Sequence, residues 1–235
     1  MIELLDVTKS FHRTAVLRGV TLKVAPGELV GLIGPNGAGK STALRILTGQ
    51  LVADAGVARI DGHDLTKEPL EARRALGYVP QDGGVEPFLT GEEVLRFVAE
   101  LRGVAPDPLV SELLGAFSLT SAAHRLTREY SEGMGRRLAL AAAFVGSPPA
   151  LVLDESLNGL DPRGARLVRD ALEERRKLGT AVLITGHVLE TFEKMCTRVA
   201  LLHDGRIALD LTRHDIDDLT IRGRTLEDVF LEATA

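Results

Sequence analysis

The chain has 235 residues, 45% apolar and 26% charged, with 28 Lys+Arg against 33 Asp+Glu for a net charge of −5. At roughly 150 residues per domain that is one to two domains with enough apolar mass for a real core, which excludes a disordered or fibrous protein. The acidic balance argues against a general nucleic-acid binder, because phosphate contacts need clustered positive charge.

A single cysteine, Cys196, makes no intramolecular disulfide and fits a reducing compartment, where it reads as a small buried hydrophobe. The longest apolar run, Leu138 to Val145, is less than half of the ~18 residues that span a bilayer. The opening Met1-Ile2-Glu3-Leu4-Leu5-Asp6 carries acids where a secretory signal would carry bases. The expectation is a cytoplasmic chain that reaches any membrane through a partner.

In chain order, Ile2–Val7 and Val20–Val24 read as short strands, with a turn at Ala25-Pro26-Gly27-Glu28. Leu29–Ile33 is a compact apolar run ending in glycine, the pattern of a buried parallel strand, and Lys40–Thr48 is a helix stopped by Gly49. Thr90-Gly91-Glu92-Glu93 is a capping box, followed at helical spacing by Val94, Val98 and Leu101 and ended by Gly103. Residues 90–147 read as mostly helical. Strand signals return at Ala150–Leu153 and Ala181–Ile184, separated by a helix opened by Asp161-Pro162 and closed near Gly179. Asp204-Gly205 marks a hairpin between Val199–Leu202 and Arg206–Leu209, and Thr225-Leu226-Glu227-Asp228 caps a short last helix. Alternating strands and helices predict an α/β fold with a mainly parallel sheet, interrupted by an inserted helical subdomain.

Gly34-Pro35-Asn36-Gly37-Ala38-Gly39-Lys40-Ser41 fits G-x-x-x-x-G-K-[ST] at every fixed position, after a buried strand and before a helix. Glycines let several backbone N–H groups turn inward on phosphate oxygens, and the helix behind adds its positive end. Lys40 is placed to reach the β- and γ-phosphates, and Ser41 to offer its hydroxyl to Mg²⁺. Ala150–Leu153 ends in Asp154-Glu155. Strand C-termini of a parallel sheet face the ligand crevice, so Asp154 is expected near Ser41, holding Mg²⁺, with Glu155 polarising the attacking water.

With these residues in place, the chain resembles, over nearly its whole length, the nucleotide-binding subunit of ATP-binding cassette (ABC) transporters. Tyr130-Ser131-Glu132-Gly133-Met134 stands where the family has its signature L-S-G-G-Q; Ser131 and Gly133 match, and Tyr130, Glu132 and Met134 depart. Tyr and Met are familiar there in bacterial exporter-like members. Glu132 puts a carboxylate where a backbone N–H should face the γ-phosphate, and its side chain is expected to point to solvent. Ser131 also suits a plain helix N-cap. Gln81, in Tyr78-Val79-Pro80-Gln81, matches the glutamine loop that contacts Mg²⁺ and water; Asp161 matches the D-loop and also suits an N-cap. His187 matches the switch histidine on the γ-phosphate, with Gly186 where the family usually has Thr. Phe11, one of seven Phe and two Tyr, matches the aromatic residue that stacks on adenine. Thr225–Leu231 resembles the closing segment of exporter-type (ABC-2-like) subunits.

The resemblance implies a P-loop NTPase with an N-terminal antiparallel β subdomain. It forms one domain, 1–235, made of a core (1–89 and 148–235) and the helical signature subdomain (90–147). It implies ATP and Mg²⁺ as ligands, with Gly34 to Thr42 as the ATP-binding set (Thr42 by its place after Ser41). It implies a transmembrane permease and a second ATPase subunit as partners, with homodimer and heterodimer both open and no nucleic acid bound. The signature is expected to act in trans, and the chain to sit on the inner face of the cell membrane. Two alternatives are weighed against it. A soluble cassette ATPase working on nucleic acid, ribosomes or an assembly machine is opposed by the single cassette, the absence of a long insert between loop and signature, and the acidic balance. A regulator without turnover is opposed by Glu155 and His187.

Overall fold

The computed structural model describes residues 1–234. The chain opens on β1 (Ile2–Phe11) and β2 (Thr14–Val24), which run several residues beyond the short strands that alternation alone suggests. The extra length comes from register shifts at Leu4/Val7 and Lys9/Ser10, where bulges break the apolar alternation without ending the pairing. β3 (Leu29–Ile33) is wholly buried and leads into α1 (Lys40–Leu47). β4 (Ala55–Ile60), β5 (His63–Asp64), α2 (Pro69–Arg74) and β6 (Leu76–Val79) follow. The helical stretch holds α3 (Gly91–Leu101), α4 (Leu109–Ala116) and α5 (Glu132–Phe144). The chain then runs through β7 (Ala150–Leu153), α6 (Pro162–Lys177), β8 (Ala181–Thr185), α7 (Leu189–Met195), β9 (Arg198–His203) and β10 (Arg206–Thr212). It closes on α8 (Arg213–Ile221) and α9 (Leu226–Thr234).

Helix starts follow their caps. Thr90 accepts from Glu93 N while Glu93 accepts from Thr90 N at 2.8 Å, and Ser131 and Asp161 cap α5 and α6. In α3 the buried face is Val94, Leu95 and Ala99, so the Val94–Val98–Leu101 stripe is rotated by one residue and Leu101 stands 69% exposed.

The fold is a mixed α/β P-loop fold with two sheets. One has four antiparallel strands in the order β2-β1-β4-β5; the other has six, β10-β9-β3-β8-β7-β6, parallel except for the β9–β10 hairpin. Successive residues of the central strands feed two separate cores. Val30, Leu32, Val152, Leu183 and Leu202 pack with α1 and the antiparallel sheet. Leu29, Ile33, Leu151, Leu153, Val182 and Ile184 pack with α3 to α6. Strands buried on both faces explain why these segments read as continuous apolar runs.

Gly77 on β6 lets α5 pack tightly on the sheet. A Cβ there would lie 2.3 Å from Ala143 O and 2.6 Å from Leu151 Cδ2. Gly77→Ala should cost about 1–3 kcal/mol by overpacking, lowering the melting temperature by roughly 2–4 °C for each kcal/mol. A thermal melt of the variant checks this; an unchanged midpoint would show that α5 moves aside freely.

Candidate active site

Parallel register sets Val79 beside Leu153, Leu153 beside Ile184, and Leu32 beside Thr185. The chain therefore leaves the sheet at one edge at Gly34 after β3, Gln81 after β6, Asp154-Glu155 after β7 and His187 after β8.

The glycine loop is tightly enclosed. A Cβ on Gly34 would meet Leu202 O at 2.2 Å, and Gly39, at φ 107°, has Leu17 2.7 Å from where its Cβ would stand. Gly39 is the N-cap of α1 and offers no side chain, so the first-turn N–H groups have no side-chain cap, unlike those of α3, α5 and α6. An anion is their natural partner. Lys40 Nζ donates to Gly34 O at 2.6 Å and Pro35 O at 3.1 Å, folding the ammonium back over the loop. Burial holds Lys40 below the ordinary lysine range, opposed by the carboxylates of Glu155 and Asp154.

At the β7 end, Thr185 donates its hydroxyl to Asp154 Oδ1 at 2.6 Å and accepts from Glu155 N at 3.1 Å. Burial pushes the Asp154 carboxyl above the usual carboxylate range, against that hydrogen bond and the Lys40 charge. Glu155 sits at φ 48°, a left-handed conformation that swings its side chain off the strand line. Its Oε2 accepts from Asn158 Nδ2 at 3.0 Å and Gln81 Nε2 at 3.3 Å, and lies 3.7 Å from His187 Nδ1.

Two adjoining hollows lie among these residues. A hollow of about 420 Å³ is lined by Phe11, Val16, Asn36, Gly37, Gly39, Lys40, Ser41, Thr42, Gln81 and Glu155. It shares Ser41 and Gln81 with a hollow of about 500 Å³ that reaches Arg45, Tyr78, Asp154 and Arg136. Phe11 marks one end and is 42% exposed. Gly34, Pro35 and Ala38 do not line the cleft: two hold Lys40 through their carbonyls, and Ala38 is buried. His187, 67% exposed at its side chain, stands on the rim beside Glu155.

Residues 17–158 match the profile of the ABC transporter family. The chain belongs to that family. The ABC cassette is 38% identical over 218 residues to the daunorubicin/doxorubicin resistance ATP-binding protein DrrA of Streptomyces peucetius, covering 92% of this chain and 66% of that one. It is 35% identical over 229 residues to the Nod factor export ATP-binding protein I of Rhizobium etli, covering 96% and 72%. It thus spans about two thirds to three quarters of the length of these relatives. Among solved structures, the ATP-binding subunit of an ABC transporter superposes with a TM-score of 0.92 at 31% identity over 100% of both chains. An ATP-binding cassette solved as a dimer, in a post-hydrolysis state bound to ADP and Pi, superposes with a TM-score of 0.83 at 25% identity over 91% of this chain and 99% of that one. The chain is an ATP-binding cassette of the ATPase type.

In this ABC cassette the residues expected to form the signature stand apart from the cleft. Ser131 accepts from Met134 N at 3.3 Å as the N-cap of α5, and Gly133 lies against Gly159 and Leu160; neither lines the cleft of its own chain. Asp161 caps α6, accepting from Gly164 N at 2.6 Å. Glu132 is 69% exposed at its side chain, but its Oε1 is held by Arg136 Nη2 at 2.8 Å.

Thr185 and Arg136 are among the residues of this neighbourhood that escaped the sequence reading. Thr185, only 2% exposed, bonds the Asp154 carboxylate and the Glu155 backbone N–H from the end of the adjacent strand, and nothing but strand register signals it. Arg136 bridges α5 to the carbonyl of Glu155. Its sole sequence signal was a charge one helical turn after Glu132.

Proposed function

We propose that this cassette binds ATP in the cleft between Phe11 and Glu155 and hydrolyses it to drive export through a separate transmembrane permease. The observation that carries the reading is convergence on one cleft of a stacking ring, an uncapped helix start behind a glycine loop, a half-buried lysine and a carboxylate aimed by Gln81 and Asn158. Phe11 stacks on adenine, and the loop N–H groups with Lys40 take the phosphates. Glu155 orients the attacking water and accepts its proton, with Gln81 and His187 fixing that geometry. Phosphoryl transfer gains most from such orientation and charge neutralisation.

The donor set suits Mg²⁺. Among the described residues no cluster of three or more His, Cys, Asp or Glu forms a metal cage. Mg²⁺ on a nucleotide needs only one or two protein oxygens besides the phosphates. Ser41, Asp154 and Gln81, on one hollow, would hold it. When bound it neutralises charge on the transferring phosphoryl group.

Residues 90–147 act as the signature-bearing subdomain, and Ser131 and Gly133 close the cleft of a second ATPase subunit, identical or different. Among the described residues no helix is long and apolar enough to cross a membrane, so the permease is a separate chain or segment. It docks near Gln81 to Phe88, where Phe88 is 69% exposed, and holds the cassette at the inner face of the membrane. The export direction rests on the likeness to the drug-resistance and Nod factor export proteins and on the closing segment at Thr225–Leu231.

Purification from detergent-solubilised membranes should bring down a polytopic protein with the cassette; recovery of ribosomes or nucleic acid instead would favour the soluble alternative. Phe11→Ala should weaken ATP binding about five- to 150-fold, from the ~1–3 kcal/mol of base stacking, while Phe11→Tyr keeps it. A fluorescent-nucleotide titration decides. Equal affinity in all three proteins would remove Phe11 from the site.

A further inference from the structure

We infer that Arg136 is a positioning residue for hydrolysis: it locks the backbone of Glu155 and so aims the carboxylate that meets the water. The inference rests on the role proposed above for Glu155. Three observations carry it.

Glu155 is held in the left-handed region, at φ 48°. A non-glycine residue there costs about 1–3 kcal/mol and stays only when its surroundings over-determine it. The structure supplies restraints on both sides. Glu155 N donates to the buried Thr185 hydroxyl. Glu155 O accepts from Asn158 N at 3.1 Å, closing a tight turn, and from Arg136 Nη1 at 3.2 Å. Of these, Arg136 alone comes from outside the sheet and the turn, and alone carries a full charge.

The Arg136 side chain is itself fixed. It is only 14% exposed, and its Nε and Nη2 both donate to Glu132 Oε1, at 3.2 and 2.8 Å. The fixed geometry comes from this two-nitrogen contact at the partly buried guanidinium. The fork therefore spans from the first turn of α5 to the end of β7, a reach that a lysine ammonium, a point donor, does not reproduce.

The bridge also lies close against the segment after Glu155. At Gly159, φ 72°, a Cβ would lie 2.6 Å from Glu132 Oε1 and 3.3 Å from Arg136 Nε. Glu132, Arg136, Glu155 O and Gly159 form one packed group. Glu132, which departs from the family signature, is thereby the anchor of the bridge, and its carboxylate is engaged within its own chain.

The test uses the cassette in its assembled complex. Arg136→Met should lower kcat at least about tenfold, as expected when a reacting group loses its alignment, with the KM for ATP within about twofold of wild type. Amide exchange around Glu155 to Asp161 should quicken without change in the β3, β7 and β8 amides. Glu132→Gln, which keeps an acceptor oxygen, should lose less. Arg136→Lys, which satisfies one partner but not both, should lose kcat to an intermediate extent at the same KM, and it carries the test if the methionine variant does not fold. Wild-type kcat in either Arg136 variant overturns the proposal. So does a loss spread equally over kcat, nucleotide binding and sheet exchange, which marks a merely structural role. If exchange quickens as expected but Glu155→Gln hydrolyses ATP at the wild-type rate, the contact stands while the role of Glu155, and with it this positioning role, falls.

Discussion

Glu155→Gln should bind ATP with near wild-type affinity and lose turnover by ~10²–10⁴, the usual range for a positioned general base. The amide has the shape of the carboxylate, so the side chain still fills its place beside Gln81, Asn158 and His187. What it loses is the ability to accept the proton of the attacking water. The half-buried lysine, the uncapped start of α1 and Phe11 keep their places, which is why binding persists. Fluorescent-nucleotide titration and multiple-turnover ATPase, measured in the assembled complex, separate the two effects. A turnover rate near wild type would remove Glu155 from the chemistry.

The second expectation is that each ATP is shared between two chains. Ser131 caps α5 and Gly133 packs on Gly159–Leu160, and neither lines the cleft formed by Phe11, the glycine loop and Glu155 of the same chain. A nucleotide on that cleft alone leaves its γ-phosphate open on the side away from the loop. A second chain, turned to bring the start of its α5 across, closes that side with another positive helix end. Lys40→Ala damages a chain's own loop, and Ser131→Arg damages what it offers to its partner. Each alone should lower ATPase by at least about a hundredfold, the order seen when a preorganised transition-state donor is removed. Mixed, the two form heterodimers with one site intact, since the Ser131→Arg chain keeps Lys40 and the Lys40→Ala chain keeps Ser131. Mixing therefore restores part of the activity. Full ATPase from a chain that stays monomeric throughout turnover, as followed by light scattering, would defeat the shared site.

What the sequence determined by itself is what short-range chemistry decides. The loop from Gly34 to Ser41 is legible because its glycines, lysine and hydroxyl act at fixed spacing on one turn of backbone. The caps at Thr90, Ser131 and Asp161 are legible because each is satisfied three residues on. Strands β3, β7 and β8 are legible because burial on both faces leaves unbroken apolar runs. Asp154-Glu155 could be assigned to a crevice because a parallel sheet has one ligand-facing edge.

The tertiary structure decided everything that depends on which segments lie side by side. Strands β1 and β2 run past their apolar alternation because bulges and partner strands hold residues that have no strand pattern of their own. The buried side of α3 turned out to be Val94, Leu95 and Ala99, since the packing partners and not the periodicity choose among neighbouring stripes. Short α2 and α7 have too few turns to show a period. Thr185 meets the Glu155 backbone N–H and the Asp154 carboxylate through register across the sheet, thirty and thirty-one residues away in sequence. Glu132, expected to face solvent, is exposed and yet tied down, because Arg136 reaches both it and a carbonyl nineteen residues further along the chain. Spacing along a chain records the i to i+4 contact between Glu132 and Arg136. It does not record that the same guanidinium ends on Glu155, because that meeting exists only once α5 has packed against the sheet.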